Sequence, residues 1–529
     1  MTSARFTGTV GRFRGSPRLH GIAAFILLLP PVFFLFPVPI DETRYLAVAW
    51  NMHLSGQWLV PWLDGAPYSD KAPLLFWLIN LVWAVTGVHA WAARLLEWLI
   101  ALATLPLLAS LGRRLGTGRG ATEAAQWLWL GCAAMAVYAG TVMFDMLLAV
   151  CTLAAWRATP ALAGPHAWRG ALAMTLVLAF GILAKGPVAL LLGGMPALLA
   201  PWWLPHARHA GFYLRLLGVL LGAILLALAW AIPAAQAGGP AYADAIFLRQ
   251  TAGRLVHSFA HARPWWWYLP ILPLMLLPWT LCLGRNTPAT LPPPRAPAEL
   301  NRFVAVAFVP GFVIFSLISG KQPHYLLPML PALALIGGVH LAAGRWRVSA
   351  WRAGAVLIII GLATALGLGR LAAPASGMGA YVCGALVVFT GLLCMSRHAR
   401  PLPVATIALG MLAALTLCKL AFVLSIGPRY DVGAAAQRIA AAQRAGVPLL
   451  YVGAEYGLFT FAGRLTAPIP SMPNRSGVAA WARAHPTGWV ISSDDDQPAP
   501  PPIYRQRYLD RSLGIWRAAD IAAAKGARH

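Results

Sequence analysis

Apolar runs long enough to cross a bilayer recur along this 529-residue chain, and they leave few folds open to it. Each run is matched to about 30 Å of hydrocarbon. In lipid every backbone N–H and C=O must be satisfied within the chain, so a spanning segment is either a helix or a strand of a closed barrel. These runs are too long and too uniformly apolar for barrel strands. The sequence therefore predicts a polytopic α-helical membrane protein. Composition agrees: 59% of residues are hydrophobic and only 11% charged, where a soluble enzyme carries about a quarter.

The first run, residues 21–40, follows Arg5, Arg12, Arg14 and Arg18 and is broken by Pro30 and Pro31. It is too long for a signal-peptide core and no small-residue cleavage site follows it, so it reads as an uncleaved first span. Twelve further spans are predicted at residues 90–111, 121–139, 141–157, 170–185, 187–204, 214–235, 265–284, 303–319, 322–341, 353–371, 378–395 and 402–426. Residues 73–87 form either another span or a helix lying in the interface. Alternate loops and the N-terminus together hold nineteen arginines, among them Arg113, Arg114, Arg157, Arg208, Arg302, Arg347 and Arg397, against only Glu123 and Glu299. The positive-inside rule places those loops and the N-terminus in the cytoplasm. About thirteen crossings then leave the tail on the other side.

The net charge of +25 does not imply nucleic acid, because the arginines sit in short loops between spans and form no contiguous basic stripe. The six cysteines all fall inside predicted spans without metal-ligand spacing and read as small packing residues. From residue 427 the chain turns polar. A helix-like stretch at 432–445, a strand-like Pro448–Gly453, a helix near 476–485 and a strand from Gly488 predict a small C-terminal α/β domain. Asp494 to Asp496 and the prolines from Pro498 read as a solvated turn. The expected organisation is a membrane core over 1–426, with a first outer loop at 41–89, and a domain over 427–529.

Five lysines stand against thirty-six arginines, and three of them, Lys71, Lys185 and Lys321, fall at the non-cytoplasmic edge of the spans. Arg249, Arg254 and Arg263 join them on that face, where orientation rules give cations no reason to gather. Snorkelling accounts for one or two of them; a cluster fits a receptor for phosphate. The acids are few. Asp41 and Glu42 open the first outer loop at the head of a segment whose Tyr45, Val48, Ala49 and Met52 recur at helical spacing, a face able to lie on the bilayer. Each acid is either a helix cap or a group for chemistry. Asp145 lies inside a span, a costly position that marks either function or a buried partner for a base such as Arg94. Glu97, three residues after Arg94, is explained by a local ion pair. Pro264 to Tyr268 includes three tryptophans, read as an interfacial belt or a sugar platform. No Walker A, Rossmann or GxSxG pattern and no His pair for zinc occurs, so no cofactor is indicated; a divalent metal is compatible with the chemistry but not indicated either.

These residues form a recognisable series. Asp41-Glu42-Thr43-Arg44-Tyr45, then Gly65, Pro67, Tyr68, Lys71, Pro73, Leu74, Leu75 and Trp77, resemble the first periplasmic loop of bacterial GT-C glycosyltransferases. Phe144-Asp145, Ala184-Lys185-Gly186-Pro187, Gly253-Arg254, Pro264 to Tyr268 and Lys321-Gln322-Pro323-His324-Tyr325 continue the likeness in order. The chain is most similar to the lipid A aminoarabinose transferases within the protein-mannosyltransferase-like group, with Lys71-Ala72-Pro73 where that group usually has Lys-Pro-Pro.

The resemblance implies a GT-C fold in a bacterial inner membrane, with the tail in the periplasm. It implies a donor sugar, such as 4-amino-4-deoxy-L-arabinose or a related pentose or hexose, carried on a polyprenyl phosphate, and a lipid A or other cell-envelope acceptor. Lys71, Arg254 and Tyr325 would hold the phosphate, supported by Lys185 and Lys321. Asp41 would deprotonate or align the acceptor, and Asp145 would bind the sugar or position Lys71. Glu42, Tyr45, Tyr68 and His324 would line the substrate. A single in-line displacement would invert the anomeric centre. A transporter or flippase for anionic polyprenyl lipids is the alternative from another class; against it, the span pattern shows no internal repeat or paired broken helices.

Overall fold

The computed structural model describes residues 17–247, 262–285, 298–372, 377–397, 402–492 and 500–526. Among them, nine helices are long and apolar enough to cross a membrane, from Ala90–Arg114 through Phe144–Ala163 and Ala167–Lys185 to Val404–Ser425. Gly21–Phe34, Leu74–Thr86 and Val188–Leu198 are shorter apolar helices. The expected run of unbroken spans is corrected at three places, one being residues 187–204, which divide at Leu199 into Val188–Leu198 and Ala200–Trp203. Residues 121–139 divide into Arg119–Leu130 and Ala133–Tyr138, because a Cβ on Gly131 would stand 2.6 Å from that of Ala408 and the chain turns there instead of continuing. Residues 265–284 divide into a short 3₁₀ turn, Tyr268–Met275 and Trp279–Cys282, since Pro270, Pro273 and Pro278 remove backbone donors from the ladder. Leu74–Thr86 has 13 residues, about 20 Å of helix and well short of a bilayer's hydrocarbon. That favours the interfacial reading of residues 73–87.

The helices Ala350–Ala363 and Met378–Met395 approach unusually closely. A Cβ on Gly354 would stand 2.5 Å from the carbonyl oxygen of Gly391, and one on Gly361 would stand 2.6 Å from that of Gly384. Small residues at these crossings let backbones meet where lipid supplies no hydrophobic drive.

Beyond Val404–Ser425 the chain builds a five-stranded mixed sheet in the order Ser471–Met472, Leu449–Val452, Trp489–Ser492, Arg511–Arg517, Tyr504–Tyr508. The first three pair in parallel and the last two add antiparallel. Helices Gly433–Arg444, Val478–Ala484 and Ala518–Gly526 cover it. The hairpin Tyr504–Arg517 was not anticipated. Its first strand alternates half-buried Tyr504 and Gln506 with exposed Arg505 and Arg507, while its second, Arg511–Arg517, buries a continuous run from Leu513 to Trp516 and so carries no alternation. Asp494 to Asp496 and Pro498 lie outside the described residues.

This sheet unit is seated on the first loop. The face of helix Asp41–Ser55 expected on the bilayer is buried in protein instead: Val48 and Ala49 are inaccessible and Tyr45 and Met52 nearly so. They pack against Leu74–Thr86 and against Phe461 of the tail. Trp50 Nε1 donates to the Leu465 carbonyl at 2.8 Å, and Arg464 Nη2 to the Val88 carbonyl at 2.8 Å.

Candidate active site

Helix Asp41–Ser55 begins where Pro37 and Pro39 stop the preceding segment, and it presents its first turn at one end of the bundle. Asp41 Oδ1 accepts from the Arg44 guanidinium one turn on, and from the Tyr45 hydroxyl at 3.2 Å. The carboxylate is therefore held by side chains of its own helix. It remains 43% exposed, within reach of an incoming molecule.

The Tyr45 ring meets Phe144 edge-on at 5.1 Å, and the Lys71 ammonium stands 5.8 Å from the centroid of each ring. Phe144 heads the next helix, so Asp145 lies in the first turn beside it. Asp145 pairs with Lys185 through one oxygen, and His324 Nε2 stands 3.9 Å from the other. Lys185 is the last residue of its helix because Gly186 adopts φ +74°, a conformation glycine takes without strain, and Pro187 then starts the next helix. The Lys185 ammonium sits 4.7 Å from the Tyr325 ring centroid. Asp41, Arg44, Tyr45, Lys71, Asp145, Lys185, His324 and Tyr325 thus form one continuous cluster. Tyr68 is buried behind it, its ring 6.4 Å from Phe76.

A cavity of about 260 Å³ opens beside this cluster, with Lys71 and Lys185 on its wall. Ile224, Ala227, Leu228 and Ala231 on the long helix Ala210–Gly238 also line it. This spacing of three, four and seven puts one apolar helix face along the cavity. The arrangement offers cations at one end and hydrocarbon along the side, complementary to an anionic headgroup on a lipid tail. Among the described residues no three His, Cys, Asp or Glu side chains gather as a metal site.

Three expectations are corrected. Glu42 does not line the substrate region: it is 2% exposed, and its two oxygens accept from Arg94 Nε at 2.7 Å, Arg94 Nη2 at 2.8 Å, Val38 N at 2.9 Å and Val142 N at 3.3 Å. A fully occupied carboxylate has no lone pair to spare for a ligand. Arg94, which also donates to the carbonyls of Leu35 and Phe36, pairs with Glu42 and with neither Asp145 nor Glu97. Glu97 is fully buried, and neither of its carboxyl oxygens has a hydrogen-bond partner among the described residues. Lys321 is 2% exposed and donates to the carbonyls of Arg263, at 3.1 Å, and Ile318. It ties two chain segments together, and burial pushes its ammonium below the usual lysine range. Arg249 and Arg254 lie outside the described residues.

Two residues were missed. Arg44 stands in a quoted motif, but its role appears only when the helix brings the guanidinium back onto Asp41. Lys419, inside the last span, is half-buried and donates to the Ala136 carbonyl at 3.0 Å, tying that span to the short helix that ends at Tyr138. Glu42→Gln is expected to lose about 2–3 kcal/mol of stability, because the amide keeps one accepting oxygen, turns an NH2 toward the donors that faced the other, and removes the charge that Arg94 faces. Thermal unfolding in detergent would show it, and an unchanged transition would contradict the buried-pair reading.

Comparison with known proteins agrees with this architecture. Residues 70–235 match the family model for dolichyl-phosphate-mannose-protein mannosyltransferase. The chain is 30% identical over 367 residues to undecaprenyl phosphate-alpha-4-amino-4-deoxy-L-arabinose arabinosyl transferase 2 of Pseudomonas fluorescens (strain Pf0-1), covering 66% of this chain and 64% of that one. It is also 30% identical over 338 residues to the corresponding transferase of Pseudomonas aeruginosa (strain LESB58), covering 61% of this chain and 60% of the relative. These matches span less than two thirds of the relatives' own length. The crystal structure of ArnT from Cupriavidus metallidurans bound to undecaprenyl phosphate superposes with a TM-score of 0.73 at 20% identity, over 94% of this chain and 97% of that one. Its apo form gives 0.74. By the course of its helices over nearly the whole length the chain shares the fold of these two structures, and the sequence of its membrane core is similar to that of the arabinosyl transferases.

Proposed function

We propose that this protein is an inverting glycosyltransferase that moves a sugar from a polyprenyl-phosphate donor to lipid A or another acceptor of the bacterial cell envelope. The observation that carries the reading is the single cluster in which Lys71 and Lys185 border an apolar cavity while Asp41 stands exposed beside Arg44. The relatives' names specify undecaprenyl phosphate-linked aminoarabinose as donor, which supports the same donor class here.

In this reading the lipid tail lies along the Ile224–Ala231 stripe. Lys71, Arg44 and Tyr325 hold the phosphate, with Arg254 as a further candidate. Fixed cations beside a departing phosphate stabilise the charge that develops on it, without reorganising at the moment of reaction. Asp41 takes or aligns the acceptor's proton. Asp145 holds Lys185 toward the donor, with His324 and Tyr45 shaping the pocket. The bond broken joins the anomeric carbon to the phosphate oxygen, and the bond formed joins that carbon to the acceptor oxygen. One displacement inverts the centre.

The chain would sit in the inner membrane with thirteen crossings, its N-terminus cytoplasmic. Residues 1–426 would form the core, with the first loop 41–89, and 427–529 a periplasmic α/β domain. Purified protein given labelled polyprenyl-phosphate sugar and lipid A is expected to release free polyprenyl phosphate. Lys71→Ala is expected to raise the donor KM about tenfold or more. Donor left intact by folded protein across a panel of sugars would overturn the assignment and favour a lipid transporter.

A further inference from the structure

The tail meets the first loop through two carboxyl groups. Asp64 and Gly65 form the two-residue turn of the hairpin Trp62–Leu63/Ala66–Pro67, both with positive φ, +50° and +81°. This turn is inserted into the sheet unit: Asp64 Oδ1 accepts from Gly457 N at 3.1 Å, and a Cβ on Gly65 would stand 3.2 Å from the Pro468 ring. On the tail side the strap Glu455–Gly457 turns sharply, with Tyr456 at φ +53° and Gly457 at φ +69°. A Cβ on Gly457 would stand 2.6 Å from that of Ala47, 2.8 Å from Leu63 and 3.6 Å from the Cα of Arg44. Only glycine fits there.

Glu455 is 4% exposed, and its Oε1 accepts from Phe459 N at 2.8 Å. Among the described residues Oε2 has no N–H donor; what faces it is the Asp64 carboxyl. A buried carboxyl facing a half-buried one resists ionising beside it, so Glu455 keeps its proton and donates it to Asp64. Burial first, and then the charge of Asp64, hold Glu455 well above the usual carboxylate range. Arg44, on the helix packed against the strap, turns its guanidinium away to Asp41.

We propose that Glu455 and Asp64 form a proton-sharing clasp that positions the two segments carrying the site: helix Asp41–Ser55 with Asp41 and Arg44, and the hairpin that runs on to Lys71. The inference rests on the proposed glycosyl transfer only for its kinetic consequence. The folded state binds the Glu455 proton more tightly than the unfolded chain does, so the clasp is fully stabilising at acid pH. That contribution is lost as pH rises through the elevated value. Above it, the buried Glu455 anion and the half-buried Asp64 anion repel, the strap lifts, and Arg44 and Lys71 lose their backing.

The test uses the full-length protein in detergent or nanodiscs. Backbone hydrogen exchange over residues 62–68 and 453–459, corrected for its intrinsic pH dependence, is expected to accelerate about tenfold as pH rises through the Glu455 transition. Exchange over the Val404–Ser425 helix should stay flat. Glu455→Gln and Asp64→Asn each replace the shared proton with a permanent amide donor and are expected to abolish the acceleration. In transfer assays the wild type should show an alkaline rise in donor KM with kcat nearly constant, and both variants should lack it. Equal exchange in the wild type across that range, or the same acceleration in Glu455→Gln, would overturn the clasp whatever the reaction proves to be. A clasp visible in exchange without any transfer activity would count against the proposed function alone.

Discussion

Asp145→Ala is expected to destabilise the protein by about 3–5 kcal/mol and to eliminate transfer. The residue lies in the first turn of a spanning helix, 4% exposed, and balances the Lys185 ammonium, itself only 13% exposed. Removing the carboxylate leaves a cation between the Tyr325 ring and an apolar wall, where a lost partner costs more than the pair itself contributes. A double variant, Asp145→Asn with Lys185→Met, removes both charges together. It should recover much of the lost stability and none of the activity. Thermal unfolding and release of polyprenyl phosphate, read on the same preparations, separate the two effects. A well-folded, fully active Asp145→Ala would show that the pair serves neither.

Asp41→Asn should behave in the opposite way. The side chain is 43% exposed and accepts from Arg44 and Tyr45; an asparagine oxygen still accepts both, so unfolding should be unchanged. What disappears is a base. A fall in kcat of about 10²–10⁴ is expected, with donor KM little altered. Lys71→Ala should show the reverse division, a raised donor KM with less effect on kcat, because it removes a phosphate contact and no proton acceptor. A fully active Asp41→Asn would leave Asp41 as a means of holding Arg44.

The site was legible in the sequence wherever a residue's position was set by its own helix end. Lys185 precedes Gly186-Pro187, and Asp145 follows Phe144 at a helix start, so each lands at the same end of the bundle once the spans are placed. Glu42 and Lys321 were misread because their partners are distant or are backbone: Arg94 is 52 residues away, and a carbonyl carries no sequence signature. Arg44 was hidden by proximity, since a charged residue one turn after an acid looks like ordinary helix decoration. Periodicity exposed the apolar face of helix Asp41–Ser55 but not what covers it; Phe461 arrives from the tail, more than four hundred residues later. The breaks at 131 and 276–278 follow from a close contact and from prolines within runs that hydropathy alone reads as continuous.

Gly354 facing Gly391 and Gly361 facing Gly384 have a mechanical corollary. Rods touching backbone to backbone at two levels have no side-chain cushion to shear, so neither advances along its axis or rolls without the other. Whatever widening admits a bulky acceptor must come from elsewhere, and the long helix Ala210–Gly238, mostly bare toward lipid, is the wall with freedom to yield. The glycine-locked couple would then serve as the anvil against which that wall moves.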